Sequence, residues 1–167
     1  MTMLARLEHG MDLLAKALLA LGCVFLALMM FHVTADVGMR YLFNRPIIGT
    51  PETVAYYYMV FAVFLPLAFV ERRGEHIRVD LFTRMMPNWL QLALYLVACG
   101  LGLIFFGMVG YQSYLDAVRA TTRSETIMSN FLFYIWPARW ALPIGFGGIM
   151  LALLVNMIRA LRLRRAL

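Results

Sequence analysis

Apolar residues in this chain fall into four long blocks, and the charged residues lie between them. The runs from Ala17 to Ala35, Thr53 to Val70, Asn88 to Leu115 and Trp140 to Ile158 contain no Asp, Glu, Lys or Arg. A helix that crosses ~30 Å of hydrocarbon at ~1.5 Å per residue needs about 20 apolar residues. Each block reaches or nearly reaches that length. The pattern predicts an all-α integral membrane protein: one membrane domain, residues 1–167, with four transmembrane helices. The third block is uncharged for about 28 residues, or about 42 Å of helix. It must therefore tilt or project beyond the bilayer.

The segments around the blocks carry their own signals. Leu4, Leu7, Met11, Leu14 and Leu18 recur at alternating spacings of three and four, which reads either as an interfacial amphipathic helix or as a first span that begins early in water. Thr50-Pro51-Glu52 combines a cap residue, a first-turn proline and a carboxylate suited to a helix dipole, so the second span should start there. Tyr56, Tyr57 and Tyr58 follow as interfacial anchors, and Pro66 should kink the span near its other end. The connection from Glu71 to Pro87 is the most highly charged, and Asp80 can cap a short helix within it. The connection from Asp116 to Arg139 begins polar and then turns aromatic, with Phe131, Phe133, Tyr134, Trp136 and Trp140 forming an interface belt. In the fourth span, Gly145, Gly147 and Gly148 and the step from Gly148 to Ala152 favour close helix approach.

Composition agrees with this reading. At 63% hydrophobic and 14% charged residues, with a mean hydropathy of +0.77, the chain is unsuited to a water-soluble domain. The net charge of +6 is distributed over span ends, not gathered in one stripe, which fits phospholipid headgroups and not nucleic acid. Ten Lys and Arg residues lie on the side of the termini and the second connection, against five on the other. This bias predicts that both termini are cytoplasmic, and Arg159, Arg162, Arg164 and Arg165 suit an anionic inner leaflet. The first block is too long for a secretory signal core, although Val33-Thr34-Ala35 resembles a cleavage site. Cys23 and Cys99 fall inside apolar spans, where a thiol behaves as a small buried hydrophobe.

An unpaired charge in lipid is costly, so ionisable residues near the spans are the first candidates for function. His32, Asp36 and Arg40 recur every four residues and share one face at the end of the first span. They could form a proton or ion relay, or Asp36 and Arg40 could pair to lock the helix end. The histidines do not recur at matching depths, as bis-His haem ligation would require. No carboxylate lies mid-span, as proton-coupled drug export would require. Neither a catalytic site nor a cofactor is predicted. An accessory membrane subunit fits best, with an oxidoreductase membrane anchor as the alternative and a small integral membrane enzyme as a third possibility.

Two stretches make the accessory-subunit reading specific. The first runs Asp36-Val37-Gly38-Met39-Arg40-Tyr41-Leu42-Phe43-Asn44-Arg45-Pro46 and continues to Gly49-Thr50-Pro51-Glu52. The second runs Glu71-Arg72-Arg73-Gly74-Glu75-His76-Ile77-Arg78-Val79-Asp80-Leu81. Together they resemble the small, DctQ-type membrane subunit of tripartite ATP-independent periplasmic transporters. That family has an Arg-Tyr-x-Phe-Asn-x-Pro stretch after its first span and a His-Ile-x-Val-Asp stretch after its second. The resemblance implies a bacterial inner-membrane heterocomplex. A large multi-span subunit would carry the coupling ion and an organic acid, and a soluble periplasmic binding protein would deliver the acid. It further implies that Arg40, Asn44, Pro46 and Glu52 shape the periplasmic link, and that His76, Arg78 and Asp80 shape the cytoplasmic one. Asn44 and His76 could contact other helices or the large subunit.

Overall fold

The computed structural model describes residues 3–73, 87–128 and 132–163. Four helices in it are long and apolar enough to cross a membrane. The first span is a continuous helix, Met3–Phe43. The second extends over Thr50–Arg73, the third is Asn88–Thr122, and the fourth lies within Trp136–Leu163. The first residues of spans one and three and the last residues of spans two and four share one end of the molecule, here called the terminal end. The first and third connections share the other, the link end.

Every span is longer than its uncharged block. The first does not stop at Ala35, because Asp36 and Arg40 pair along the helix face and let it continue to Phe43. Nor does it break near residue 16, so the N-terminal segment continues span one as one rod. Its packed face runs through Met11, Ala15, Leu18, Gly22, Phe25, Met29, His32 and Asp36, alternating steps of four and three as in a coiled-coil seam. Of the predicted amphipathic stripe, Met11 and Leu18 lie on this seam, whereas Leu7 and Leu14 are exposed. Cys99 is buried as expected, but Cys23 faces outward.

Span four stands at the centre of the array, in contact with spans one, two and three. Span two packs on spans one and four, and span three packs mainly on span four. The central position of span four shows in its burial: half of its most apolar stretch is covered, against 6% for span three and 11% for spans one and two. One face of span four presents Ala141, Gly145, Gly148 and Ala152, all buried. A Cβ at Gly145 would collide with the backbone carbonyl of Phe64, and one at Gly148 would meet Ala68 and Leu18. Lacking these atoms, the helix backbones come into contact, which is how membrane helices gain dispersion energy without a hydrophobic drive. The other face sets Ile149 and Leu153 against Cys99, Tyr95, Leu103 and Phe106 of span three.

Span two is irregular in two places. Between Val54 and Tyr58 it makes a π turn, in which Met59 N–H donates to the carbonyl five residues back. At Leu65-Pro66 the α-helix is interrupted, as the missing proline N–H requires, and Gly22 of span one makes room for the Pro66 ring. The third connection holds a feature absent from the sequence reading. Thr126–Met128 and Leu132–Tyr134 form a two-stranded antiparallel hairpin with Ile127 opposite Phe133.

Candidate functional site

Polar side chains gather at two places, one at each end. At the link end, Asp36 is buried and accepts a hydrogen bond from the backbone N–H of Ile47 at 2.7 Å. Its other oxygen lies 3.0 Å from Arg40 Nε. One turn earlier, His32 bridges two residues of span two. The Thr50 hydroxyl donates its single hydrogen to the Ile47 carbonyl at 3.1 Å, so its 3.3 Å contact with His32 Nε2 requires the ring N–H to donate. His32 Nδ1 then accepts from the Tyr58 hydroxyl at 3.1 Å. A directed chain thus runs from Tyr58 through His32 and Thr50 to the backbone of the first connection, and Asp36 holds that backbone from the other side.

The remaining motif residues of this connection punctuate helices. Asn44 adopts a left-handed conformation at φ 51°, and its N–H donates to the Arg40 carbonyl at 3.1 Å. This is an αL helix stop, for which asparagine is suited after glycine. Pro46 is exposed just beyond it. The second span is capped by Gly49, at φ 89°, with Pro51 and Glu52 in its first turn. The predicted cap, Thr50, is instead the first helical residue, because its hydroxyl is engaged by Ile47 and His32. Tyr57 leaves the tyrosine cluster on another side and donates to the Tyr134 carbonyl of the hairpin at 2.7 Å. The predicted residues His76, Arg78 and Asp80, and the short helix after Asp80, lie outside the described residues.

The terminal-end cluster was not anticipated. The helical second span carries Glu71 and Arg72 past the apolar block into a buried position. Arg72 places Nη2 2.6 Å and Nε 2.8 Å from Asp12 of span one, and its Nη1 donates to Asn156 of span four at 2.8 Å. The Asn156 amide donates in turn to the Glu71 carboxylate at 3.2 Å and the Glu71 carbonyl at 3.3 Å. Three helices are thereby tied through one guanidinium. A weaker pair, Arg159 with Glu8 at 3.8 Å, joins spans four and one nearby. The only sequence signal was Asn156, an amide near the end of the fourth apolar block, which calls for an interhelical partner.

These clusters hold helices to one another and to their connections. Both nitrogens of His32 are engaged within the protein. Among the described residues, no group of three or more His, Cys, Asp or Glu side chains is placed to hold a metal ion.

Comparison with family models matches residues 29–163 to the DctQ component of tripartite ATP-independent periplasmic transporters. No curated protein and no solved structure matched the chain. The matched region begins before the link-end cluster and runs through the hairpin to the end of span four, so it takes in both motif stretches, the last part of span one and spans two to four. On that extent, the chain belongs to the DctQ component family, the small membrane subunit of tripartite ATP-independent periplasmic transporters.

Proposed function

We propose that this chain is the static scaffold of its transporter in the bacterial inner membrane. It holds a large ion-coupled subunit and helps to dock a soluble periplasmic binding protein during uptake of an organic acid. Both termini are cytoplasmic, which places the terminal end inside and the link end in the periplasm. The observation that carries this reading is the division of labour among side chains. The clustered polar groups fasten helices, while spans one and three turn most of their apolar circumference outward. A scaffold needs rigid joints and an uncommitted apolar face; a substrate pathway needs polar groups facing a cavity.

Reconstitution tests the assignment. Proteoliposomes containing this chain alone should show no ion-driven uptake of organic acid. Adding the large subunit and the binding protein should produce it. Uptake by the chain alone would place the transport machinery here and end the scaffold reading. For orientation, single cysteines can be introduced in a Cys23→Ser, Cys99→Ser background. An impermeant thiol reagent applied outside should label positions 48 and 123, both exposed, and spare positions 74 and 167, and the reverse pattern would invert the topology.

A further inference from the structure

Five basic residues face the periplasmic side in this orientation, where the positive-inside bias disfavours them. Three of the five, Arg119, Arg123 and Arg139, line one open concavity of about 310 Å³ together with Asp116, Ala120 and Glu125. Its walls are the last turns of span three, Arg123 and Glu125 in the turn between that span and the hairpin, and the short helix Trp136–Arg139 that precedes span four. Backbone bonds fix this frame: Glu125 N–H donates to the Ala120 carbonyl at 2.9 Å and Ile135 N–H to the Glu125 carbonyl at 3.0 Å. Trp140 Nε1 donates to the Thr121 hydroxyl at 3.1 Å. The cup is therefore built before any partner arrives.

Its charges are unevenly committed. Arg139 is held by Glu125 at 2.9 Å. Arg119 makes a looser contact with Asp116 at 3.5 Å and stays largely exposed. Arg123 is exposed and has no ion-pair partner among the described residues. Arg119 and Arg123 stand four residues apart and so share a face, and three cations oppose two carboxylates.

The geometry points to this cup as an electrostatic docking site for an acidic surface of the soluble periplasmic binding protein, with Arg119 and Arg123 receiving its carboxylates. The inference rests on the docking reading above and adds where docking occurs and by what chemistry. Charges at an exposed rim act chiefly on the association rate and its salt dependence.

The test uses the assembled two-subunit membrane complex in nanodiscs and the transporter's own binding protein. Association rates are measured at about 50 mM and about 300 mM salt, a range over which screening rises steeply. Arg119→Glu with Arg123→Glu should slow association about tenfold at low salt and flatten the salt dependence. Arg123→Lys should retain the wild-type rate. Arg45→Glu, at an exposed periplasmic arginine outside the cup, should change the rate little. Size-exclusion chromatography confirms that each variant complex is assembled. If the wild type binds and the double reversal associates equally fast, the cup assignment alone is overturned. It is also overturned if Arg45→Glu slows association as much as the double reversal does. If the wild-type complex fails to capture the binding protein, or if a cysteine at position 123 is labelled only from inside, the docking reading and this inference fall together.

Discussion

The two polar clusters differ most in how far along the chain they reach. The link-end cluster joins His32, Asp36, Arg40, Ile47, Thr50 and Tyr58, all within one helix end, its connection and the start of the next helix. The terminal-end cluster joins Asp12, Arg72 and Asn156, which are separated by most of the chain. A local cluster decides where a helix ends and how a turn is shaped. A distant one decides which helices stand together. Losing the first should loosen a link, whereas losing the second should loosen the whole array.

Arg72→Ala should have the largest effect. It removes a buried guanidinium that bonds both Asp12 and Asn156 and leaves the buried Asn156 Oδ1 without its donor, and loss of such a buried, hydrogen-bonded charge costs about 3 kcal/mol. The thermal midpoint of the purified chain in detergent should fall sharply. Asp12→Asn, at the half-exposed end of the pair, should cost less. Equal behaviour of Arg72→Ala and the wild type would show that helix packing alone holds the array.

Gly145→Ala probes that packing. The new methyl meets the Phe64 carbonyl, and overpacking of this kind costs about 2 kcal/mol. Gly147→Ala meets nothing within 4 Å and should be neutral or slightly stabilising, as alanine for glycine in a helix generally is. A similar midpoint for the two variants would contradict the close approach of spans two and four.

At the link end, Asp36→Ala removes both the acceptor for Ile47 and the partner of Arg40. A cost of about 1.5 kcal/mol is expected, with greater proteolysis of the first connection and weaker assembly with the large subunit. Asp36→Asn can still accept from Ile47 and should be milder. A fully assembled Asp36→Asn complex with altered pH dependence of uptake would move proton chemistry into this subunit. Thr50→Val, which breaks one link of the His32 chain, should cost only about 1 kcal/mol and leave assembly intact.

The same contrast explains what was legible in the sequence. The spans could be read because apolar length is a local property, and the Asp36–Arg40 pair because helical neighbours are four residues apart. The end of span two was set too early, at Val70, because Glu71 and Arg72 look like connection residues until Asp12 and Asn156 arrive from distant helices. The N-terminal stripe was only partly right: Leu7 and Leu14 fit an isolated amphipathic helix, while the seam follows what span one touches. Thr50 satisfied the composition of a cap, but Gly49 alone could adopt the left-handed backbone that the turn uses. The hairpin was missed because two three-residue strands are too short to show an alternating pattern. The charged cup was missed because its residues converge only when the hairpin folds back.

The π turn of span two bears on which changes of chain length the protein can tolerate. Closing its bond over five residues, it contains one residue more than the α turn it replaces. Deleting one residue between Val54 and Tyr58 would leave a regular helix that makes the same turn with one residue fewer, so everything after Met59 would keep its face. Leu65, Ala68 and Glu71, all buried, would stay in their seams, whereas a deletion in the regular stretch Met59–Phe64 would rotate them by about 100°. In this helix a single-residue deletion should therefore be tolerated best within the π turn, and beyond it should be as damaging as the loss of a buried side chain.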